Sequence, residues 1–120
     1  MISEAINLGW WLLVGHAVAD FSLQTDSMAK GKNRNRPVDM SVVPPGQKYT
    51  PSWFYWLTTH ALIHGGAVCL ITGDCRLGMA ETVAHWVIDF GKCENFFGIH
   101  IDQTLHVVCK LAWVYICVNK

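Results

Sequence analysis

Four long apolar segments of this chain each contain two ionisable side chains four residues apart. Because an α-helix completes a turn every 3.6 residues, this spacing places both members of a pair on one helix face. An ionisable group buried among apolar residues is destabilising unless it is paired or bound to a metal. The polar faces are therefore expected to meet in the interior of the fold. The four pairs are His16 and Asp20, His60 and His64, His85 and Asp89, and Asp102 and His106.

The apolar segments predict an all-α fold, a small four-helix membrane bundle with a polar metal-binding interior. The 120 residues are enough for a single helical domain. A polar, basic loop over residues 25–51 is expected to follow the first helix. No strand-like alternation or internal repeat competes with this interpretation. The helices are expected at about residues 6–24, 53–71, 77–90 and 101–118.

The second segment is the best candidate for a membrane span. It has nineteen residues without a formal charge, if its histidines are neutral, and it opens with aromatic residues. Ser52 is a candidate N-cap, and the Gly65-Gly66 pair predicts close approach of another helix. The third segment is amphipathic, so an interfacial or re-entrant helix remains an alternative to a span.

Charge and composition favour a lipid environment. The chain is 52% hydrophobic and only 15% charged, whereas soluble domains carry about 25% charged residues. Its surface is therefore expected to face lipid, or a partner subunit in a homo-oligomer. Five of the nine Lys and Arg residues lie in the 25–51 loop, which predicts a cytoplasmic loop and a bacterial inner-membrane location. The net charge of zero gives no case for binding duplex nucleic acid.

The five cysteines do not suggest a disulfide framework. Their number is odd, and they form no C-x-x-C pair. Cys69, Cys109 and Cys117 lie in apolar runs, where a cysteine usually acts as a small buried hydrophobic residue.

The paired residues predict a metal centre. Taken alone, one such pair is more often a hydrogen-bonded core histidine than a ligand set, but four pairs, one per helix, favour metal. Eight imidazole and carboxylate groups can hold one or two divalent transition-metal ions and leave positions open for water and substrate. Zinc suits mixed His and Asp ligands best, while manganese, iron or cobalt are also compatible. The predicted ligands are His16, Asp20, His60, His64, His85, Asp89, Asp102 and His106.

Two further residues continue the polar stripes and are candidate catalytic groups. Glu81 precedes His85 by four residues, which suits a general base or a partner that orients His85. Lys110 follows His106 by four residues and could stabilise negative charge on an oxyanion or phosphoryl group. The alternative is that both lie at helix ends with their charged groups in water. Gln103 is expected to lie off its stripe, and His100 to be an exposed loop residue.

Several motifs resemble a known family. The runs HAVADFSLQTDSMA, THALIH, HWVID and DQTLH, beginning at residues 16, 59, 85 and 102, resemble the bacterial and phage membrane family catalogued as domain of unknown function 3307. This resemblance covers nearly the whole chain, but the family has no established activity. More distantly, the paired helices are similar to LexA-regulated inner-membrane proteins described as hydrolases. They are also similar to the zinc-dependent phospholipase C and nuclease superfamily, which implies phosphoester hydrolysis. The chain begins Met-Ile-Ser-Glu, without that superfamily's N-terminal aromatic ligand, so the resemblance does not extend to a full three-metal site.

The expected function is metal-dependent hydrolysis of a phosphoester by a membrane-embedded protein. A lipid head group or a nucleotide reaching the bilayer surface is the expected substrate. The alternative is a non-enzymatic membrane protein, either a metal binder or conduit or a structural or interaction module stapled by metal. An open coordination position facing a cavity would distinguish the enzyme from the stapled module.

Overall fold

The computed structural model of the chain describes residues 1–38, 40–48 and 51–120, without the side chain of residue 42. These residues form helices and turns, with no strand among them. A π-helical segment, Val18–Ser22, continues α1, and a short 3-10 turn covers Met40–Val42. The α-helices are α1 (Ile2–Ala17), α2 (Asp26–Gly31), α3 (Trp53–Thr72), α4 (Cys75–Cys93) and α5 (Ile99–Val118).

The four long helices occur where the apolar segments predict them, and the differences lie at their ends. Helix α1 begins four residues earlier than expected, and α4 is longer at both ends. The 25–51 segment is not a continuous loop, because it contains α2. The side chain of Thr25 begins this helix by accepting a hydrogen bond from the backbone N–H of Met28 at 3.1 Å. Residues 39, 49 and 50 of the predicted loop lie outside the described residues.

A tight turn joins α3 to α4. Gly73 ends α3 with a left-handed backbone (φ 70°), which glycine adopts without steric cost. Asp74 then caps α4 by accepting a hydrogen bond from the backbone N–H of Arg76 at 2.9 Å. Ser52 occupies the N-cap position of α3 as predicted, but its side chain makes no capping hydrogen bond.

Helices α3 and α4 approach each other closely at two glycines. A Cβ atom on Gly65 would lie 2.5 Å from the carbonyl oxygen of Gly78, and one on Gly78 would lie 2.6 Å from that of Gly65. At Gly66, by contrast, no atom of another described part of the chain lies within 4 Å of an added Cβ. The predicted close approach therefore depends on Gly65, with Gly78 as its counterpart on α4.

The long helices form a ring in which α1 and α4 each pack against both α3 and α5. At the end of the helix bundle that contains the α3–α4 turn, Lys120 and Arg76 both form ion pairs with Asp74. These contacts lower the pKa of the Asp74 carboxyl. At the other end, Arg34 forms an ion pair with Glu94. This contact lowers the pKa of Glu94 and raises that of Arg34. The basic segment, residues 32–36 after α2, therefore contacts the C-terminal end of α4, at the opposite end of the bundle from the α3–α4 turn.

The prediction for Cys69 was wrong, because this residue forms a disulfide with Cys75. The bond joins the last turn of α3 to the first residue of α4, with the two Cα atoms 4.4 Å apart. An odd number of cysteines argues against a full framework but does not exclude one local bond across a short turn. Cys109 and Cys117 are free and half-buried, and Cys93 is free and buried.

The interior of the described chain is more polar than apolar. Its buried apolar residues are Leu12, Ala19, Met28, Leu57, Ala61, Val68, Leu77 and Cys93. Eleven polar or charged residues are buried as well. Large apolar side chains instead lie on the outside of every long helix, such as Trp10, Leu70, Val83 and Leu111. Two helices, α3 and α5, are long and apolar enough to cross a membrane.

Candidate metal centre

All eight residues predicted as metal ligands are buried, and they lie close together inside the ring. None of these side chains is more than 7% exposed. Each long helix contributes one pair, as the spacing of four residues implies. The pairs of α1, α4 and α5 lie in the halves of those helices nearer to the basic segment, and the pair of α3 lies around the middle of that helix.

A π-helical turn shapes the contribution of the first helix. Asp20 lies inside Val18–Ser22, where the N–H of Leu23 donates to the carbonyl of Val18 at 2.9 Å. A π-turn shifts the helical register, and such turns are common at functional sites. Asp20 Oδ1 lies 3.2 Å from His60 Nε2 and 3.3 Å from His64 Nε2.

The first potential ligand group combines this aspartate with three histidines. Asp20, His60, His64 and His85 each offer one atom, and these four atoms all lie within 4.8 Å of one another. The rings of His64 and His85 stack with centroids 3.6 Å apart. Three imidazoles and one carboxylate match the ligands and number that zinc usually takes.

The second potential group lies between α4 and α5. Asp89, Asp102 and His106 each offer one atom, and these three atoms all lie within 4.8 Å of one another. His106 Nε2 lies 3.3 Å from Asp102 Oδ1. A third group contains Glu81, His85 and His106. It shares His85 with the first group and His106 with the second. One imidazole normally serves one ion through one nitrogen, and the three groups are therefore not three independent sites.

The structure does not place His16 in any of these groups. Its Nε2 shares a hydrogen bond with Gln103 Oε1 at 3.0 Å and lies 3.7 Å from Asp20 Oδ2. His16 lines the centre, with its ring centroid 5.2 Å from those of both His64 and His106. Its geometry suits a residue that supports the ligands rather than a ligand itself.

Nine buried side-chain atoms have no hydrogen-bond partner within the described chain. Leaving one such atom unsatisfied costs about 1–3 kcal/mol, and more for a charged group. Asp89 Oδ1 has an ion-pair contact to Lys92 at 3.1 Å but no hydrogen bond. Seven of the nine are imidazole nitrogens, and a divalent ion would satisfy several of them at once. The atoms are His16 Nδ1, His60 Nδ1, His64 Nε2, His85 Nδ1, His85 Nε2, His106 Nδ1, His106 Nε2, Asp89 Oδ1 and Asp102 Oδ1.

Glu81 and Lys110 form a buried ion pair on the side of the centre away from the basic segment. They are 1% and 2% exposed, which excludes the alternative that their charged groups lie in water. The second carboxylate oxygen of Glu81 accepts a hydrogen bond from Trp113 Nε1 at 2.6 Å. Glu81 Oε1 also lies 3.7 Å from His85 Nδ1. Both carboxylate oxygens are thus engaged, and Lys110 points its ammonium group at Glu81.

Gln103, expected to lie off the polar stripe, is part of the centre. Its Nε2 donates to Asp20 Oδ2 at 2.9 Å and to Asp102 Oδ2 at 3.0 Å. Adjacent helix residues differ by about 100° in direction, and the long Gln103 side chain bridges that angle. His100 is exposed as predicted, although it lies in the first turn of α5 rather than in a loop.

Two lysines at the centre were not among the site residues predicted from the sequence. Lys32 directly follows α2, is 4% exposed, and donates to Asp89 Oδ2 and to Gln24 Oε1, both at 2.6 Å. Lys92 Nζ lies 3.1 Å from Asp89 Oδ1 and 3.4 Å from Asp102 Oδ2. The spacing of Lys92 from Asp89, three residues on one helix, could have indicated this contact. Lys32 is 57 residues from Asp89 in sequence, so this contact depends on the packing of α2.

Comparison with known proteins returned no match, whether to a family model, to a curated protein or to a solved structure.

Proposed function

We propose that this chain is a small integral-membrane protein that binds two divalent transition-metal ions, best suited to zinc, and hydrolyses a phosphoester. The observation that carries the proposal is the convergence of four buried histidines and three buried aspartates in adjacent ligand groups. One ion is assigned to the group of Asp20, His60, His64 and His85, and the other to Asp89, Asp102 and His106. These two groups share no residue, whereas a third ion would compete for His85 and His106.

The distribution of exposed side chains supports a membrane location. Helix α4 is too polar in composition to count as a candidate span, but its ionisable residues Glu81, His85 and Asp89 face inward. Its outward residues include Met79, Val83 and Val87, which are 59–70% exposed. Because lipid contacts only the outer face, α4 is as suitable for a bilayer as its neighbours. We propose that α1, α3, α4 and α5 form the membrane bundle.

Two independent features support one orientation in the bacterial inner membrane. The positive-inside rule assigns the basic segment to the cytoplasm. The Cys69–Cys75 disulfide lies at the opposite end of the bundle, and disulfides persist in the oxidising periplasm. The same orientation places the α3–α4 turn on the periplasmic side.

The donor set fits a hydrolytic metal pair. Two adjacent divalent ions supply Lewis acidity and a lowered pKa for water, which together promote phosphoester cleavage. The protein residues hold the ions and orient one another, for example through the contacts of Gln103 with His16, Asp20 and Asp102. Glu81 remains the candidate base or orienting partner of His85. The ammonium group of Lys110 is paired with Glu81, so it is not free to stabilise negative charge on a substrate.

The metal content of purified protein tests the centre directly. Protein extracted in detergent and never exposed to chelator should contain between one and two transition-metal ions per chain. His60→Ala and His85→Ala should each lower this content, because each removes a ligand from the first group. His100→Ala is the matched control and should leave it unchanged, since His100 is exposed. A content below about a tenth of an equivalent would contradict the metal centre.

Turnover tests the hydrolytic part of the proposal. Metal-loaded protein in detergent should cleave at least one member of a panel of lipid and nucleotide phosphoesters. Asp89→Asn should abolish this activity by weakening metal binding, because a neutral amide is a poor ligand where a carboxylate offsets the ion's charge.

A metal-stapled structural module is the second candidate, and the depth of burial favours it. The eight predicted ligands are at most 7% exposed, which suits a closed structural site better than an open catalytic one. Bound metal without turnover of any phosphoester, together with a marked loss of stability on chelation, would support this candidate over the hydrolase.

A further inference from the structure

One carboxylate of the metal centre contacts two ammonium groups. Lys32 and Lys92 lie 2.6 Å and 3.1 Å from the two oxygens of Asp89. Lys92 also approaches Asp102. Lysine is rarely buried, and it is repelled by a divalent cation that binds the same carboxylate. Two lysines against one ligand therefore need an explanation beyond metal binding.

The formal charge of the centre supplies one. Asp20, Asp89 and Asp102 bring −3, and Lys32 and Lys92 bring +2, which leaves −1 with neutral imidazoles. The buried Glu81–Lys110 pair cancels internally. Two divalent ions change the balance to +3. A buried charge of this size is strongly unfavourable unless an anion accompanies it, and a phosphate dianion reduces it to +1.

We infer that the metal-loaded centre binds a phosphate-type oxyanion, with Lys32 and Lys92 as its ammonium ligands. The inference rests on the proposed function, because without metal the carboxylates outnumber the lysines and repel an anion. Lysine binds phosphate as a point charge through its ammonium group. Lys110 does not serve in the same way, because its partner Glu81 belongs to neither of the two groups assigned an ion, so metal binding does not release its ammonium group.

One of the two lysines also reaches the surface of the protein. Lys92 is 25% exposed, whereas the carboxylates that it contacts are at most 1% exposed. It therefore connects the buried oxygens to the surface at the end of α4. Lys32 belongs to the basic segment that also contains the exposed Arg34 and Arg36, and such a cluster attracts anions.

Equilibrium dialysis with radiolabelled inorganic phosphate tests the inference. The protein is loaded with zinc in detergent, and excess zinc is removed before phosphate is added. Zinc-loaded protein should bind phosphate at least about tenfold more tightly than chelator-stripped protein, within the usual range of coupling between two ligands. Lys32→Met and Lys92→Met should each weaken binding about tenfold or more, as the loss of a hydrogen bond to a charged group predicts.

Lys30→Met is the matched control. Lys30 lies on α2 and is paired with Asp26, but it is 57% exposed and does not contact the centre. The Lys30→Met variant should bind phosphate like the unaltered chain. Lys32→Arg should retain most of the phosphate binding, because arginine keeps the positive charge. Zinc content is a second measurement, and it distinguishes phosphate binding by Lys32 from a purely structural role. Lys32→Met should keep or gain zinc, because Lys32 competes with the ion for Asp89.

The possible failures are distinguishable. Protein that holds no zinc contradicts the proposed function itself. Zinc-loaded protein that binds no phosphate, or binds it equally well in the Lys32→Met and Lys92→Met variants, overturns the inference while the metal centre stands. Loss of zinc and phosphate together in both variants would assign the lysines a structural role and also overturn it.

A second experiment, with lipid present, identifies whether the phosphate group belongs to a lipid or to a soluble molecule. Phosphate-bound protein is placed in nanodiscs of phosphatidylcholine alone or with added phosphatidic acid. Displacement of the labelled phosphate only by phosphatidic acid assigns the site to a lipid phosphate. Retention of the label in both assigns it to a soluble phosphate or phosphoester.

Discussion

Gly65→Ala should separate α3 from α4 beside the metal centre. The added Cβ would lie 2.5 Å from the carbonyl oxygen of Gly78 and against the hydroxyl of Thr82. Close carbon–oxygen contacts between helices are normally about 3.3–3.6 Å. The two backbones would therefore have to move apart by roughly 1 Å, and overpacking of this kind typically costs about 1–3 kcal/mol.

The same movement should disturb metal binding. His64 directly precedes Gly65, and its ring stacks on that of His85 with centroids 3.6 Å apart. Both belong to the ligand group of the first proposed ion. Metal–ligand distances tolerate changes of only about 0.2 Å, so a shift of roughly 1 Å between α3 and α4 should lower zinc retention as well as stability.

The assay compares Gly65→Ala with Gly66→Ala, which adds the same methyl group one residue further along α3. Among the described residues outside its own stretch of helix, no atom lies within 4 Å of a Cβ at Gly66. This control should bind metal like the unaltered chain and be at least as stable, because alanine favours a helix interior over glycine by about 0.5–1 kcal/mol. The free energy of unfolding in detergent and the zinc content per chain are measured for both variants. Equal behaviour of the two variants in both measurements would refute the close approach of α3 and α4.

Two further predictions concern the buried pair and the disulfide. Glu81→Gln should lower the free energy of unfolding by about 3–5 kcal/mol, because it leaves Lys110 charged and unpaired in the interior. Adding Lys110→Met should restore most of this free energy, as measured by chemical unfolding. A double variant no more stable than Glu81→Gln would argue against the ion pair. Cys69→Ser should release a thiol at Cys75 and should cost about 2 kcal/mol by loop entropy. In the orientation proposed above, a membrane-impermeant maleimide should label this thiol from outside intact cells with a permeable outer membrane. Labelling of Cys75 that occurs equally in the unaltered chain would contradict the disulfide.

The sequence predicted those features that depend on local periodicity. The spacing of four residues is enough to place His60 with His64, and His85 with Asp89, on one helix face. The apolar neighbours of these pairs then imply that the polar face is turned inward. Burial of all eight residues follows from these two facts without knowledge of how the helices are arranged. Their roles as ligands remain predictions.

The remaining features depend on contacts between distant parts of the chain or on local departures from ideal helix geometry. Lys32 reaches Asp89 only because α2 packs against α3, and no pattern in a polar segment encodes that packing. The π-turn at Asp20 changes the register that an ideal helix would give. His16 bonds to Gln103 and lies in no ligand group among the described residues, although its spacing from Asp20 is the same as that of the other pairs.

Average composition and the direction of side chains lead to different conclusions about α4. Its hydropathy is low because Glu81, His85, Asp89 and Lys92 are counted together with the residues of its outer face. The first three are at most 1% exposed, so they contribute nothing to the surface that a bilayer would contact. The described part of the chain thus combines an apolar exterior with an interior in which seven imidazole nitrogens lack a hydrogen-bond partner. On the function proposed above, lipid would account for the apolar exterior and metal for the polar interior, and neither alone would account for both.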